Sequence, residues 1–333
     1  MEPTSDLQKL VQVSKMYYNE ELTQEKIAKK LSISRSAVSM LLAEAKSLGI
    51  VQIQIKDPYV NNEELSGELA KRFNLRKCIV VPTSVTQDQL LLKIVTSRAA
   101  MFAADIMFSH STIGIAWGTT CYEFIQGFPR NTNLCDINVV PLIGGSPLVA
   151  EEFQLNESVR VYAEKLRGFP LFIYSPGIVE SLEDKKRFLE SMYMKTISER
   201  WMNLDFAIVG VGRPPESYDE NYKKYAMENI LEQINKYPDK PIGDLVARRF
   251  NIKGEILVCD YNNKLIGIDE EGFRRAKNVL GIATGINKAF SIIGALNTGL
   301  LHYFVTDENT AQYVLDILNS GAIKVLNNTP AAG

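Results

Sequence analysis

Residues 22–55 constrain the fold of this chain more than any other stretch. Their sequence is LTQEKIAKKLSISRSAVSMLLAEAKSLGIVQIQI, in which two short apolar patterns with helical spacing are separated by a polar break at residues 32–34. An alternating segment at residues 51–55 predicts a short strand. Two helices joined by a tight turn and followed by a strand form the layout of a winged helix-turn-helix, which places its second helix in the DNA major groove.

Both predicted helices begin after a residue suited to cap a helix. Thr23 precedes the first helix and Ser34 the second, and each hydroxyl can accept hydrogen bonds from the free amides of the first turn. Ala28 is small where two crossing helices would approach closely, and Gly49 suits the end of the second helix. The expected buried stripe of the second helix consists of Val38, Leu41, Leu42, Ala45 and Leu48.

The residues around these helix starts are of types that contact phosphates or base edges. The predicted DNA-binding residues are Thr23, Ser34, Arg35, Ser36, Ser39 and Met40. Charge gives this prediction little support, because residues 1–57 hold eight Lys or Arg and seven Asp or Glu, a net charge of +1. A polar helix start on an ordinary helical bundle is the alternative, although oligomerisation would multiply a weak DNA contact.

Length and composition predict a globular protein with two or more domains. The chain has 333 residues, of which 46% are hydrophobic and 23% are charged, so global disorder is not expected. No apolar stretch approaches the ~20 residues of a membrane span, and the N-terminal residues lack the apolar run of a signal peptide. We therefore expect a cytoplasmic protein without membrane contact.

Cysteine and histidine are too sparse and too scattered to predict a metal site. The cysteines Cys78, Cys121, Cys135 and Cys259 form no CxxC pair, and buried thiols in a reducing compartment are the expectation. The histidines are His110 and His302 alone, which argues against a histidine metal centre and against histidine-driven catalysis. We expect neither a metal nor a cofactor.

After residue 57, short apolar runs alternate with helical patterns. The runs lie at residues 78–81, 112–116, 137–142, 170–174, 206–211, 265–268, 279–283 and 302–305. The helical patterns lie at residues 63–73, 87–107, 155–166, 182–204, 288–300 and 309–318. This alternation predicts a Rossmann-like α/β domain, in which a parallel sheet is covered on both faces and ligands bind at the carboxyl ends of the strands. The expected divisions are a winged helix-turn-helix at 1–57, a connector helix at 58–76 and the large domain at 77–333.

A strand that runs into a Gly-Thr-Thr turn and then a helix is the first candidate ligand site. Gly118, Thr119 and Thr120 follow the apolar run at residues 112–116. Amides and hydroxyls at a helix N-terminus suit a phosphate group, although the P-loop sequence GxxxxGK[ST] is absent. The alternative is a plain strand-to-helix turn without a ligand.

Three further polar residues follow predicted strand ends or glycine turns. Arg213 comes after a Gly-Val-Gly sequence, but two prolines replace the rest of a dinucleotide fingerprint, so NAD is not expected. Lys288 opens a helix and could bind a second anionic group, while Asp244 could accept hydrogen bonds from sugar hydroxyls. The respective alternatives are a solvated arginine, a surface lysine and a helix cap.

Seven motifs occur in one order: LTQEKIAKKLSISRSAVSMLL, IGIAWGTT, VVPLIGG, DFAIVGVG, IGD, ATGINKAFSIIGAL and VTDENTA. With this ordered set, residues 7–318 resemble the SorC family of bacterial transcriptional regulators, which includes central glycolytic and deoxyribonucleoside repressors. The resemblance implies a winged helix-turn-helix joined to an effector and oligomerisation domain similar to sugar-phosphate isomerases. It also implies operator DNA as partner, a phosphorylated sugar or polyol as effector, and a homotetramer.

Carried over by position, the resemblance places effector-binding roles on eight residues. They are Gly118, Thr119, Thr120, Gln154, Asn156, Arg213, Asp244 and Lys288. The chain departs from the family at Met40, Ala43 and Glu44, where basic residues are common, so the DNA contacts there are expected to be fewer or more apolar. Ile143 stands where some relatives have an arginine before the double glycine, which favours a ligand with one phosphate over a ligand with two.

Two main functions stay open at this point. The first is a DNA-binding regulator of carbohydrate metabolism whose operator binding is controlled by a phosphorylated sugar or polyol. The alternative is an enzyme like a sugar-phosphate isomerase with an appended DNA-binding domain, with Asp244 or Asp269 as the base. A binding module that has lost DNA recognition is a third alternative. Because histidine is scarce and a convincing acid and base pair is lacking, we favour the regulator and expect no enzymatic activity.

Overall fold

The computed structural model of the protein describes residues 3–51, 60–129, 133–146, 154–213 and 236–324. The chain divides into two compact units, Met1–Lys56 and Asp57–Gly333. Among the described helices, none combines the length and the apolar character needed to cross a membrane.

Within the described residues, the first unit consists of the helices α1 (Pro3–Tyr18), α2 (Gln24–Leu31) and α3 (Arg35–Ser47). The two predicted caps are present. Thr23 Oγ1 accepts from the Lys26 amide at 3.4 Å, and Ser34 Oγ accepts from the Ala37 amide at 3.1 Å. The sequence therefore determines where α2 and α3 begin, and these two helices form the predicted helix-turn-helix.

A small apolar core joins the three helices. Its buried members are Val13, Met16, Ile27, Ala28, Val38 and Leu42. The sequence patterns do not predict α1, yet α1 supplies Val13 and Met16 to the core that α2 and α3 share. A pair of crossing helices buries too little apolar surface by itself, so a third helix is needed to close the core.

The end of α3 differs from the expected buried stripe. Leu48 is 57% exposed, because α3 ends at Ser47 and the chain turns at Gly49 with a φ of +73°. Gly49 thus has the expected role at the helix end. The strand expected at residues 51–55 lies, apart from Val51, outside the described residues.

The second unit is built on a parallel sheet. Its strands are β1 (Lys77–Val81), β2 (Thr112–Ile115), β3 (Asn138–Pro141), β4 (Phe169–Pro170), β5 (Phe206–Gly212), β6 (Gly243–Leu245), β7 (Arg248–Phe250), β8 (Asn278–Ile282) and β9 (Tyr303–Asp307). The strand order is β1-β9-β8-β5-β2-β3-β4, with parallel pairing between all these neighbours. β6 pairs antiparallel with both β5 and β7. All four residues of β2 are buried, so both faces of the sheet are covered there.

Helices follow most of these strands. They are α4 (Glu63–Arg72), α5 (Asp88–Ile106), α6 (Thr119–Gly127), α7 (Leu155–Lys165), α8 (Leu182–Glu190), α9 (Met192–Trp201), α10 (Asp260–Asn263), α11 (Glu270–Arg275), α12 (Ala289–Asn297) and α13 (Glu308–Asn319). A single 3₁₀ turn, Ile286–Lys288, precedes α12. The alternation of strands and helices is the one that the sequence predicts.

The segment expected to be a separate connector, residues 58–76, forms part of the second unit in its described portion. Asn62 caps α4 through its Oδ1, which accepts from the Leu65 amide at 3.2 Å, and its Nδ2 donates to Glu308 at 2.9 Å. Arg72 at the other end of α4 donates to Asn319 Oδ1 at 2.9 Å. These bonds hold α4 against the two ends of α13.

Two apolar runs that were expected to be strands are mostly irregular. In the run at 170–174, the backbone N–H and C=O of Ile173 both bond to the side-chain amide of Asn156, at 2.9 Å each. Ile173 therefore does not pair with a neighbouring strand. In the run at 265–268, Leu265 pairs with Ile178 and Gly267 pairs with Ile143. Because the pairing partner changes within two residues, no continuous ladder of strand hydrogen bonds forms.

The helical pattern at 182–204 contains a break. Ser191 has an extended backbone with ψ of 142°, and its hydroxyl accepts from the Met194 amide at 3.3 Å. Ser191 therefore ends α8 and caps α9, as serine does more readily than it continues a helix.

Candidate functional site

A cavity of about 560 Å³ lies at the carboxyl ends of β2, β5 and β8. Its wall comes from the turns after these three strands, the hairpin of β6 and β7, α10 and the first turn of α5. The carboxyl ends of neighbouring parallel strands meet at one edge of a sheet, which is where open α/β folds bind ligands. The volume is in the range of small-molecule sites.

Six of the eight effector residues expected from the sequence line this cavity. They are Gly118, Thr119, Thr120, Arg213, Asp244 and Lys288. Asn156 and Gln154 are not among the lining residues that the structure describes. Asn156 bonds to the backbone of Ile173, and Gln154 Nε2 donates to the carbonyl of Ser146 at 3.5 Å. The described contacts of Asn156 are structural, since they fix the chain after β4.

The first turn of α6 presents backbone amides to the cavity. Gly118 stands at the N-cap with a φ of +103°, and no side-chain oxygen from the described residues caps this helix. A φ of this sign suits glycine, because other residues would be strained there. Thr120 lies close to β5, since a Cβ placed on Gly210 would come within 3.2 Å of the Thr120 Cβ. The uncapped amides and the hydroxyls of Thr119 and Thr120 form an anion-receptive helix start.

Lys288 enters the cavity from the next turn. Its ammonium donates to the carbonyl of Val211 at 3.0 Å, which holds it across the end of β5. Burial lowers the pKa of Lys288, the Arg213 charge lowers it further, and Asp244 acts in the opposite direction. The nearby negative charge does not fully compensate the ammonium of Lys288, so an anionic ligand would stabilise its charged form.

The turn that carries Lys288 is held by hydrogen bonds to the start of α13. Gly285 has a φ of +97°, and its amide donates to Thr310 Oγ1 at 2.8 Å. Thr310 in turn donates to the buried carboxylate of Asp307 at 2.5 Å, and Asp307 caps α13. This network links the turn to the start of α13 and so positions Lys288.

Asp244 brings a carboxyl group beside Lys288. One oxygen accepts from the Ala247 amide at 3.0 Å. The other lies against the backbone of Gly212, where an added Cβ would come within 2.0 Å of it, so only glycine leaves room. Burial raises the pKa of Asp244 from 3.8 to about 6, while the Ala247 bond and the charges of Lys288 and Arg249 oppose the rise.

Arg249 and Tyr261 are cavity residues that the sequence patterns did not single out as a site. The guanidinium carbon of Arg249 lies 4.0 Å from the centre of the Tyr261 ring, a cation–π contact. Asn262 holds the Arg249 backbone, accepting from its N–H and donating to its C=O at 2.9 Å each. The neighbouring arginine, Arg248, is buried and donates to the Ile268 carbonyl, so only one of the pair reaches the cavity.

The hairpin that presents Arg249 has no recognisable turn signal. Val246 and Ala247 connect β6 to β7 with φ values of +53° and +60°. Such a two-residue turn normally carries Asn-Gly or Asp-Gly, because both central residues need a positive φ. A Val-Ala turn therefore could not be found from sequence, and with it Arg249 was missed.

The charges in the cavity favour an anionic ligand that also carries hydroxyl groups. Arg213, Arg249 and Lys288 are cationic, and the amides of α6 add partial positive charge. Asp88 and Asp244 are the acids of the described wall, and they can accept hydrogen bonds from hydroxyls. Asn287 also lies in the wall and adds both a donor and an acceptor.

Asp244→Asn is expected to stabilise the protein increasingly as pH rises from about 4 to about 6. The folded state keeps a proton on Asp244 that the unfolded chain releases above 3.8, so ionisation costs the folded state stability. The gain should level off above pH 6 at about 2–3 kcal/mol. Urea denaturation at a series of pH values measures it, with Asp239→Asn as an exposed control. A gain that is equal at every pH would show that Asp244 does not titrate as described.

The predicted DNA-binding residues of the first unit fall into two groups. The hydroxyls of Thr23 and Ser34 act as helix caps. Arg35, Ser36, Ser39 and Met40 are exposed on the first turns of α3, and Met40 is 73% exposed. Exposed residues on the N-terminal turns of the second helix are those that reach base edges in helix-turn-helix proteins.

Comparison with known proteins agrees with this architecture. Residues 57–316 match the Sugar-bind family model, described as "Putative sugar-binding domain", and residues 12–46 match sigma-70 region 4. The sorbitol operon regulator of Klebsiella pneumoniae is 26% identical over 316 residues, covering 95% of this chain and 100% of the relative. The deoxyribonucleoside regulator of Bacillus subtilis is 26% identical over 310 residues, covering 92% and 97%.

Solved structures give the same result. The crystal structure of the full-length sorbitol operon regulator SorC from Klebsiella pneumoniae superposes with a TM-score of 0.69 at 26% identity, covering 93% of this chain and 99% of that one. A DeoR family transcriptional regulator from Listeria monocytogenes has a TM-score of 0.64 at 27% identity, covering 75% and 98%. The predicted fold class is confirmed, and this chain belongs to the SorC family of bacterial sugar-binding transcriptional regulators.

Proposed function

We propose that this protein binds operator DNA in the cytoplasm through α3 and that a phosphorylated sugar or polyol, bound in the cavity of the second unit, controls this binding. The observation that carries the proposal is the convergence of the α6 N-terminus, Lys288 and Arg213 on one cavity that also contains Asp244. The genes under control would be genes of carbohydrate metabolism, as the names of the sorbitol and deoxyribonucleoside regulators suggest for those proteins.

A phosphate group fits the cationic end of the cavity. The first turn of α6 offers at least three free amide donors to an anion in the cavity. The positive end of the helix dipole also favours an anion there. Lys288 supplies an ammonium group. Burial lowers the pKa of this group, and an anion beside it would stabilise its charged form. Charge-assisted hydrogen bonds are about twice as strong as neutral ones, so these groups would supply most of the affinity.

The hydroxyl groups of a sugar fit the remaining wall. Asp244 and Asp88 can accept from hydroxyls, and Asn287 can both donate and accept. Trp117 and Tyr261 offer apolar surface for the carbon skeleton. A neutral apolar ligand would leave these polar groups unpaired, at a cost of about 1–3 kcal/mol for each.

Control would arise from a difference in ligand affinity between two states of the protein. A ligand shifts an equilibrium only as far as it prefers one state. We propose a homotetramer, as the family resemblance implies, in which ligand binding changes packing between subunits and with it the spacing of the DNA-binding units.

An isomerase-like enzyme is the competing function, and one observation favours it. The raised pKa of Asp244, about 6, suits a general base at neutral pH. The curated relatives are named regulators, which supports a binding role. Turnover of hexose or pentose phosphates that disappears in Asp244→Asn would establish the enzyme instead.

Matched pairs of sugars test the proposal. Thermal unfolding of the full-length protein is measured with each of a panel of pentose, hexose, ketose and polyol phosphates, and with the same compounds lacking phosphate. We expect at least one phosphorylated compound to raise the Tm where its unphosphorylated partner at equal concentration does not. Fluorescence anisotropy with the protein's own upstream DNA should then show a changed operator affinity in its presence.

Two outcomes would contradict separate parts of the proposal. Stabilisation by free sugars alone would remove the phosphate from the ligand. Failure to bind upstream DNA more tightly than a scrambled duplex, with every compound and without any, would remove operator control.

A further inference from the structure

A second cluster of chemically active side chains lies at the opposite edge of the sheet from the cavity. His110 precedes β2, while Cys135 and Asp136 precede β3, so all three lie at the amino ends of these strands. One imidazole nitrogen, the thiol sulfur and one carboxylate oxygen all lie within 4.8 Å of one another. No other part of the described chain brings three such ligand groups together.

The two loops that carry the cluster are joined by backbone hydrogen bonds. The His110 amide donates to the Cys135 carbonyl at 3.0 Å, and the Asn138 amide donates to the Ser111 carbonyl at 2.9 Å. The Cys135 amide donates to Ser109 Oγ at 3.2 Å. The cluster is therefore assembled by the fold itself and would need little rearrangement to bind a ligand.

Two residues of the cluster have a left-handed backbone. The φ values of His110 and Asp136 are +65° and +54°, a conformation that His and Asp adopt more readily than most other residues. Their side chains are 74% and 57% exposed. His110 Nδ1 and Asp136 Oδ2 are separated by 3.5 Å.

We propose that His110, Cys135 and Asp136 bind a divalent transition metal ion of the zinc class. In a tetrahedral zinc site with metal–ligand bonds near 2.0 Å, the nitrogen and oxygen ligands lie about 3.3 Å apart, close to the separation here. The Cys135 sulfur lies within 4.8 Å of both atoms, and rotation of this exposed side chain can bring it closer. Thiolate and imidazole select zinc-class ions over magnesium and calcium.

With three protein ligands, the fourth position would hold water. Bound metal would cross-link the loops before β2 and β3 and stabilise the second unit, in proportion to the logarithm of metal concentration above the Kd. This site is independent of the proposed sugar-phosphate cavity, and failure of either proposal leaves the other intact.

Cobalt(II) is the probe that tests the site. The full-length protein, reduced and freed of metal with a chelator, is titrated with Co²⁺, and thiolate-to-cobalt charge-transfer absorption is recorded. We expect one Co²⁺ per chain and a charge-transfer band, and Zn²⁺ should displace the Co²⁺. The Cys135→Ser variant should lose the band, and His110→Ala should weaken Co²⁺ binding by at least about tenfold, since even outer partners of metal ligands contribute that much.

Cys259→Ser is the matched control, because Cys259 is a partly exposed thiol outside the cluster. This variant should keep the band and the affinity. All three substitutions are at exposed or partly exposed positions, and circular dichroism checks that each variant is folded. Absence of a charge-transfer band in the unaltered protein, or a band that persists in Cys135→Ser, would overturn the proposal.

Discussion

Replacing Thr119 and Lys288 together with alanine is expected to abolish the response to sugar phosphates and leave the fold intact. The double variant removes one hydroxyl at the α6 N-terminus and the ammonium held across β5. Hydrogen bonds to charged groups are worth about 1.5–3 kcal/mol each, so loss of two should weaken binding on the order of 100-fold or more. Isothermal titration calorimetry and the ligand-induced Tm shift both measure this loss.

Two control variants distinguish the loss of ligand contacts from the loss of folded structure. Lys288→Met keeps most of the side-chain volume and removes the charge, so it should lose most of the affinity with little loss of stability. Lys253→Ala removes a partly exposed lysine that pairs with Asp239 elsewhere in the same unit, and this variant should bind the ligand normally. An unaltered Tm shift in the Thr119 and Lys288 double variant would show that the ligand binds elsewhere.

Arg35→Ala is expected to weaken specific operator binding by about 1–3 kcal/mol if Arg35 contacts a base edge. Arg35 is the first residue of α3 and is exposed, and its neighbour Ser34 is already engaged as the cap. An arginine in this place can form a bidentate contact with guanine, whereas serine and the exposed Met40 contribute less to discrimination.

The comparison with scrambled DNA decides which kind of contact Arg35 makes. If Arg35 contacts a base, its loss lowers affinity for the operator much more than affinity for a scrambled duplex. If Arg35 contacts a phosphate, its loss lowers both affinities equally and reduces the salt dependence of binding. Arg187→Ala, an exposed arginine on α8, controls for the loss of one positive charge. Operator binding equal to that of the unaltered protein would show that Arg35 does not face the DNA.

The sequence predicted the parts of the fold in which a local pattern and the tertiary structure agree. β2, β5 and β8 are buried runs in the middle of the sheet, where both faces are covered and apolar residues are required. β1 lies at one end of the sheet, and its residues after Lys77 are buried too. Helix starts such as those at Thr23 and Ser34 were predictable because capping is a local interaction. α1 was missed because its role, closing the core of the first unit with Val13 and Met16, is visible only in three dimensions.

The strand expected at 170–174 is mostly absent because a side chain competes for its backbone hydrogen bonds. The run at 170–174 is apolar enough for a strand, but the side chain of Asn156 satisfies the backbone of Ile173. The same interaction explains why Asn156, which was expected to bind the effector, has a structural role in the described contacts. A polar residue on a helix can serve the ligand or the backbone, and its residue type does not distinguish the two.

The candidate cavity was predicted in outline from three strand ends. The glycine turns after β2, β5 and β8 led to the prediction of Gly118, Arg213 and Lys288 as site residues. They lie together because parallel strands bring their carboxyl ends to one edge of the sheet. Arg249 was missed, since the Val-Ala turn before it has no sequence signal. His110 and Cys135 lie far apart in sequence with no ligand spacing, so only the parallel pairing of β2 with β3 places them together.

Reciprocal coupling between the two ligands tests the central claim most directly. If a sugar phosphate changes operator affinity by some factor, the operator must change sugar-phosphate affinity by the same factor, on the order of 5–150-fold for typical coupled sites. Calorimetric titration of the active sugar phosphate into the protein, alone and saturated with operator duplex, measures this factor. We predict two different Kd values whose ratio equals the change in operator affinity, whereas one Kd for both samples would contradict control of DNA binding by the cavity.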